Sequence, residues 1–273
     1  MIEKYAVIGN PIGHTKSPLI QGMFAESIGK KIEYTAILGE LGQFASTIDA
    51  FRASGGRGLN ITAPFKLDAF AYATDLSQRA RMAGAVNAMK FDGDRVYAEN
   101  FDGVGLVRDV ITNLHCPLAG KRVLVLGAGG AVRGALLPFL EQKPARLVIV
   151  NRSVDKAKEL AAAVDAECPL SGVGYGDLAG QQFDVVFNAT SASLRGELPP
   201  VQTTVFADDC LAYELAYGKG LTPFLRLAQN AGVQHIADGV GMLAEQAAEA
   251  FAWWHGVRPD TGAVIRHLTV PLA

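Results

Sequence analysis

Cysteine is scarce in this 273-residue chain. Cys116, Cys168 and Cys210 are the whole complement, odd in number and widely spaced. That pattern excludes a disulfide frame and a Cys-rich zinc site, so no metal ligand set is expected; the three read as partly buried thiols of a cytoplasmic protein. Neither sign of charge is in excess. Lys+Arg 25 against Asp+Glu 27 leaves −2, too little to drive non-specific binding to nucleic acid or an anionic membrane. No apolar run approaches the ~18 residues of a membrane span. Met1 leads straight into Tyr5-Ala6-Val7-Ile8-Gly9 with no basic segment or cleavage site, so no signal peptide is expected. Charged residues make 19% of the chain and hydrophobic ones 49%, which excludes disorder over most of its length. What is plentiful is glycine, 30 residues, a sign of many tight turns. The length corresponds to one large or two modest domains, burying roughly three quarters of the unfolded surface.

Short apolar runs alternate with helical periodicity from end to end, which predicts an α/β chain with a parallel sheet. Strands are expected at 4–8, 32–38 and 57–61, with helices at 17–28 and 40–54. Ser17-Pro18 is a helix start, Ser at the N-cap and Pro next. In 40–54 the residues Leu41, Phe44, Ala45, Ile48 and Phe51 recur at helical spacing. Residues 86–91 and 95–98 flank Asp92-Gly93, a tight hairpin signal. A helix at 102–114 follows. A second α/β series begins at Lys121, with strands at 121–127, 146–150, 183–188 and about 209–214. Its helices are expected from the glycine turn to about 142, then at 153–164 and 222–231. Helices at 240–255 and 260–269 close the chain. The stretches 168–180 and 190–203 read as loops.

The turn Gly127-Ala128-Gly129-Gly130-Ala131-Val132 follows an apolar strand and opens a helix. Glycines there allow close backbone approach to a pyrophosphate, and the helix N-terminus supplies amide donors. Val132 stands where the strict G-x-G-x-x-G pattern has its third glycine. The next strand ends Val150-Asn151-Arg152-Ser153. It lacks the acid that would bond a ribose 2′-hydroxyl. Arg152 instead suits a 2′-phosphate, with Lys156 one helical turn on. NADP is therefore the expected cofactor.

The first third carries four polar clusters at the ends of apolar segments. They are Asn10 to Ser17, Asn60 to Lys66, Gly84 to Asn87, and Asn100 to Gly103. Each alone also reads as a helix cap or a solvated lysine. In open α/β sheets, however, ligands bind outside the carboxyl ends of strands, and these hydroxyls, amides, one ammonium and one carboxylate suit a polyhydroxylated ligand.

The strings GNPIGHTKSP, GLNITAPFK, AGAVNA, NFDGVGL, GAGGAVRG, NRS, NATS, TPFL and DGVGMLAEQAA, in this order and spacing, resemble the motifs of the shikimate dehydrogenase family over essentially the whole chain. The resemblance implies an N-terminal α/β substrate domain, residues 1–101 plus 238–273, and a Rossmann-like NADP-binding domain, residues 102–237. It implies NADPH-linked, reversible reduction of 3-dehydroshikimate to shikimate in aromatic amino acid biosynthesis. It makes Lys66 and Asp102 the catalytic pair, a reasonable one, because a lysine held by a carboxylate can pass the proton that accompanies hydride transfer. Thr15 and Ser17 would meet the substrate carboxylate. Asn60, Thr62, Asn87, Tyr217 and Gln246, with Asp102, would meet the ring hydroxyls. The cofactor would lie on Gly127, Ala128, Gly129, Gly130, Ala131, Asn151, Arg152, Ser153 and Lys156, and on Ala189, Thr190, Gly239 and Met242. The small-molecule substrate is the expected partner, with no nucleic acid or membrane and with the chain a monomer or homodimer. Trp253 and Trp254 are expected to pack on the substrate domain, and His14 to be structural.

Some positions depart from the family pattern. Thr15 replaces a serine, Phe101 a threonine, and Ala63 and Ala88 a valine and a threonine. Glu214 stands for an aspartate, before Leu215-Ala216-Tyr217. These changes raise the expectation of a paralogue with weaker shikimate turnover that Phe101→Thr would improve. Quinate or another cyclohexane-carboxylate as substrate is an alternative, as is a non-catalytic sensor of NADP and shikimate.

Overall fold

The computed structural model describes residues 2–272. The chain opens with β1 (Glu3–Gly9), α1 (Ser17–Ser27), β2 (Ile32–Leu38), α2 (Phe44–Ala53) and β3 (Gly56–Ile61). β1 is buried along Tyr5, Ala6, Val7 and Ile8, as a strand covered on both faces must be. It pairs in parallel with β2 on one side and β3 on the other. The chain thus reverses its winding between β1 and β3. Then come α3 (Lys66–Tyr72), β4 (Asp75–Leu76), α4 (Gln78–Ala83), β5 (Ala88–Asp92), β6 (Arg95–Glu99) and α5 (Asp102–Arg108). The sheet order is β2-β1-β3-β5-β6-β4.

The expected parallel sheet is corrected here to a mixed one. β5 runs antiparallel to both β3 and β6; a two-residue turn joins it to β6 and can join only antiparallel strands. Gly93 in that turn has φ 56°. The sequence gives no clear signal for α3, β4 and α4, which are too short for periodicity to register. Ser17 opens α1 as its first residue and makes no side-chain cap; its hydroxyl lies 3.3 Å from Thr15 Oγ1 instead.

α5 passes into a π-helical turn, Asp109–Asn113. The second series is β7 (Arg122–Leu126), α6 (Gly130–Glu141), β8 (Arg146–Val150), α7 (Val154–Ala162), β9 (Leu170–Val173), β10 (Phe183–Asn188), β11 (Phe206–Glu214), α8 (Pro223–Asn230) and β12 (His235–Asp238). All its strands are parallel, in the order β12-β11-β10-β7-β8-β9. This is the doubly wound order, whose switch point falls between β7 and β10. Val132 is buried in the core under α6, so helix and sheet pack there without a third glycine.

Two expectations are corrected in this sheet. The 168–180 loop contains β9 and a 3₁₀ turn, Tyr175–Leu178. A Cβ on Gly172 would lie 2.2 Å from the Ala157 carbonyl, so the residue that made the segment look like a loop is what lets α7 lie directly on the strand. β12 was not expected either; it is a four-residue edge strand with one buried position.

The chain ends with α9 (Val240–His255) and α10 (Gly262–Leu268). Contacts divide the molecule into two compact units. One holds the residues up to Gly105 with Leu243–His267; the other holds Leu106–Met242 with the segment from Leu268. In the first unit α9 lies close on its neighbours. A Cβ on Gly105 would fall 2.6 Å from the Gln246 nitrogen, and one on Gly58 2.5 Å from Trp254 Nε1. Trp254 stacks on Tyr5 with ring centroids 4.8 Å apart and donates to the Met89 carbonyl at 2.9 Å. Trp253 meets Phe101 edge-on. Both tryptophans thus pack in this unit, as expected. His14 is exposed. Among the described residues, no helix is long and apolar enough to cross a membrane.

Candidate functional site

In the first unit, the polar side chains gather where the winding reverses, at the carboxyl ends of β1 and β3. Asn10 follows β1; its N–H donates to the Ala63 carbonyl at 3.0 Å and its Nδ2 to the Gly39 carbonyl at 2.8 Å. Thr62 follows β3, its N–H on the Ile8 carbonyl. The tight turn after it starts α3 and presents Lys66. Lys66 Nζ donates to Asp102 Oδ2 at 2.5 Å, with the two side chains 33% and 18% exposed, so the pair is enclosed yet open to a small molecule.

Asp102 is held from three directions. Asn87 Nδ2 donates to its Oδ1 at 2.8 Å, and Asn100 Oδ1 accepts from its N–H at 3.1 Å, which fixes the start of α5. Asn87 is itself oriented, because its Oδ1 accepts from the Phe101 N–H at 2.9 Å. Its Nδ2 also reaches Gln246 Oε1 at 3.4 Å. Asn60 Nδ2 donates to the Asn87 carbonyl at 3.3 Å. Tyr34, on β2, donates to Asn60 Oδ1 at 2.7 Å and also interacts with Ser17. Burial pushes the Tyr34 phenol well above its usual range, so it acts as a neutral donor.

One network therefore joins Ser17, Asn60, Asn87, Asp102, Lys66 and Gln246. Sequence reasoning missed Tyr34, which links its two ends; an aromatic on an edge strand carried no motif. Thr15 joins through Ser17 at the N-terminus of α1, where helix amides favour an anion. Thr62 turns its methyl toward Gly9, where a Cβ would come within 2.5 Å of it. Tyr217 lies in the second unit, 44% exposed. Phe101, which departs from the family pattern, is 4% exposed and packs with Tyr5, Ala88 and Trp254.

In the second unit, a groove of about 320 Å³ opens at the switch point. Gly127, with φ 109°, follows β7; a Cβ on it would press within 3.2 Å of the Ala189 carbonyl. Cβ atoms on Gly129 and Gly130 would meet nothing within 4 Å, which leaves open space over the N-terminus of α6. Ala128, Asn151, Arg152, Ala189 and Thr190 line the same groove. Asn188 Oδ1 accepts from the Thr190 N–H and hydroxyl at 3.1 and 2.7 Å. Glu214 in turn holds Asn188 Nδ2 at 2.8 Å, along with the Ser193 and Thr222 hydroxyls. Burial pushes the Glu214 carboxyl up, and these donors oppose the shift.

Ala131 follows Gly130 in α6, while Ser153 and Lys156 are exposed at and after the start of α7. Gly239 lies elsewhere in this unit; a Cβ on it would sit 2.2 Å from the Leu215 carbonyl. The Met242 N–H donates to the Tyr213 hydroxyl at 3.4 Å. The residues present fit a dinucleotide: glycines without side-chain cover, a helix N-terminus for the pyrophosphate, and a cation rather than an acid after β8. Sequence reasoning missed Tyr175, Arg195 and Glu197, which also line the groove.

A doubly wound sheet with a glycine turn at its switch point defines a dinucleotide-binding α/β protein of the Rossmann class, here with a second α/β unit carrying a lysine–aspartate pair. Three family models match the chain. They describe a shikimate dehydrogenase substrate binding domain over residues 7–89, shikimate / quinate 5-dehydrogenase over 110–195, and a shikimate 5′-dehydrogenase C-terminal domain over 239–269. A shikimate dehydrogenase (NADP(+)) of Chromobacterium violaceum is 52% identical over the full length of both chains. The crystal structure of an Ael1 enzyme from Pseudomonas putida is 59% identical, with a TM-score of 0.96 over 99% of this chain and 100% of that one. Shikimate 5-dehydrogenase from Thermus thermophilus, solved with NADP(H) and shikimate, is 28% identical, with a TM-score of 0.85 over 97% and 98% of the two chains. The chain belongs to the shikimate dehydrogenase family.

Proposed function

We propose that this chain catalyses the reversible, NADPH-linked reduction of 3-dehydroshikimate to shikimate, as a cytoplasmic enzyme, monomeric or homodimeric. The unit containing β1–β6 is its substrate domain and the doubly wound unit its NADP domain. The observation that carries the reading is the Lys66–Asp102 pair, held by Asn87 at a strand-end switch point and open to a small ligand.

NADP(H), when bound, supplies or accepts the hydride. Gly127, Ala128, Gly129, Gly130 and Ala131 would cradle its pyrophosphate, while Arg152, with Asn151, Ser153 and Lys156, would face the ribose 2′-phosphate. Ala189, Thr190, Gly239 and Met242 complete the set carried by the family resemblance. In reduction, the Lys66–Asp102 pair delivers a proton to the carbonyl oxygen as it becomes a hydroxyl; in oxidation it takes that proton back. Asn87 holds Asp102 Oδ1, which leaves Oδ2 to Lys66 and fixes the orientation of the pair. Thr15 and Ser17 would bind the carboxylate. Asn60, Thr62, Asn87, Gln246 and Tyr217 would pair with ring hydroxyls, and a group built to pair with a hydroxyl rejects analogues lacking it.

The names of the curated relatives support shikimate and NADP over the quinate and sensor alternatives. The test is initial-rate measurement of NADP⁺ and NAD⁺ reduction with shikimate and with quinate. Preference for shikimate with NADP⁺ is expected. Higher kcat/KM with quinate, or no turnover of any pair, overturns the reading.

A further inference from the structure

Arg195 lies in a 3₁₀ turn, Ser193–Arg195, after β10, in a segment expected to be a plain loop. It lines the same groove as Arg152, as do Tyr175, Ser191 and Glu197. Its guanidinium is fixed at both ends. One nitrogen donates to Ser191 Oγ at 2.9 Å and another to Glu197 Oε2 at 2.7 Å. Ser191 adjoins Thr190, so the arginine is tied to the loop that faces the glycine turn. Glu197 is shared: Arg195 first, and Arg152 after it, hold its carboxyl below the usual range. The groove therefore holds two guanidiniums with one carboxylate near both. Lys156, the second cation expected from sequence, is exposed on α7.

We propose that Arg195 is a specificity-determining residue for the phosphorylated cofactor, a second guanidinium for the ribose 2′-phosphate, with Glu197 as the counter-charge that the phosphate displaces. The proposal rests on the NADP reading above. A guanidinium presents a planar fork of donors that matches phosphate oxygens two at a time. NAD lacks that phosphate, so the contact favours NADP alone. Glu197 keeps Arg195 oriented in the free protein and repels a dianion. Binding therefore exchanges one anion for another of higher charge.

The test is equilibrium titration calorimetry of NADP⁺ and NAD⁺ binding to the wild-type chain, Arg195→Ala and Glu197→Gln. Arg195→Ala is expected to weaken NADP⁺ binding about five- to tenfold, the scale of one partly exposed charge-assisted contact, with NAD⁺ within about twofold of wild type and a shallower salt dependence for NADP⁺. Glu197→Gln is expected to tighten NADP⁺ binding. An unchanged NADP⁺ affinity in Arg195→Ala, or equal losses for both cofactors, overturns the proposal. So does a Glu197→Gln loss as large as that of Arg195→Ala, which marks the pair as support for the loop. Wild-type protein that binds NAD⁺ as tightly as NADP⁺ overturns the cofactor reading itself, and that result is read before any variant.

Discussion

His255, at the end of α9, should make the first unit sensitive to mild acid. Its side chain is 1% exposed, and neither ring nitrogen has a hydrogen-bond partner. The ring lies among Phe251, Tyr5 and Trp254. Burial, and then the nearby Lys30 charge, lower its pKa from 6.5 to about 4, while Glu3, 3.7 Å away, opposes them only in part. The folded state thus holds a neutral imidazole that the unfolded chain protonates more readily. A depressed pKa of this kind contributes its stability in full above the unfolded value, and loses it as pH falls toward the folded one.

At about 1.4 kcal/mol per pKa unit, the gap corresponds to about 2 kcal/mol lost between pH 7 and pH 5, and about 3 kcal/mol by pH 4. For a chain of this size, 2 kcal/mol moves a melting midpoint by about 4–8 °C. Other groups titrate in the same range. Glu3 and Asp184, held low by Lys30 and Arg122, lose stability at still lower pH, while Glu214 and Asp238, pushed up by burial, act in the opposite sense. The informative quantity is therefore a difference between two proteins. His255→Phe keeps a ring in the aromatic cluster and removes the titration. Melting of both, followed by calorimetry from pH 7 to pH 5, should show the wild type losing about 2 kcal/mol more than the variant. Parallel losses in the two proteins would refute the reasoning.

Substituting either member of the proposed proton-transfer pair, as Lys66→Ala or Asp102→Asn, should lower kcat by roughly 10²–10⁴ with little change in substrate KM; near-wild-type turnover in both would remove the pair from the mechanism. Asn87→Ala frees Asp102 Oδ1 and leaves the buried Phe101 N–H unpaired, so it should lower kcat and also cost about 1–3 kcal/mol in denaturant unfolding; a variant that loses neither contradicts the network. Phe101→Thr, at a position 4% exposed among Tyr5, Ala88 and Trp254, should destabilise by about 3 kcal/mol rather than improve turnover, as urea unfolding beside steady-state assays would establish. Gly239→Ala would place a Cβ 2.2 Å from the Leu215 carbonyl, so the backbone must shift; an unaltered melting temperature would refute that packing argument.

Much of this molecule follows from local pattern. Tyr5–Ile8 and Arg122–Leu126 are strands because each is an apolar run bounded by glycine or polar residues. The glycine turn at Gly127 follows from its place between a strand and a helix. Lys66, Asp102 and Asn87 stood out only as members of motifs, and 36 residues separate the first two. Periodicity and spacing depend on a few neighbouring residues, so they are legible in the chain itself.

Tertiary structure decided what those patterns could not express. Which strands become neighbours depends on burial summed over a whole sheet, so the pairing of β5 with β3 and the edge strands β9 and β12 emerge only there. Gly172 reads as a loop residue, yet it sits in a strand because α7 needs the space of its missing side chain. Phe101 follows the motif asparagine and precedes Asp102, yet its backbone turns the ring into the aromatic core and only its N–H serves the site. Tyr34 and Arg195 carry no motif at all. They reach Asn60 and the groove at the switch point across gaps in sequence that only a folded backbone closes, because a side chain's partners are set by position in space and not by its neighbours in the chain.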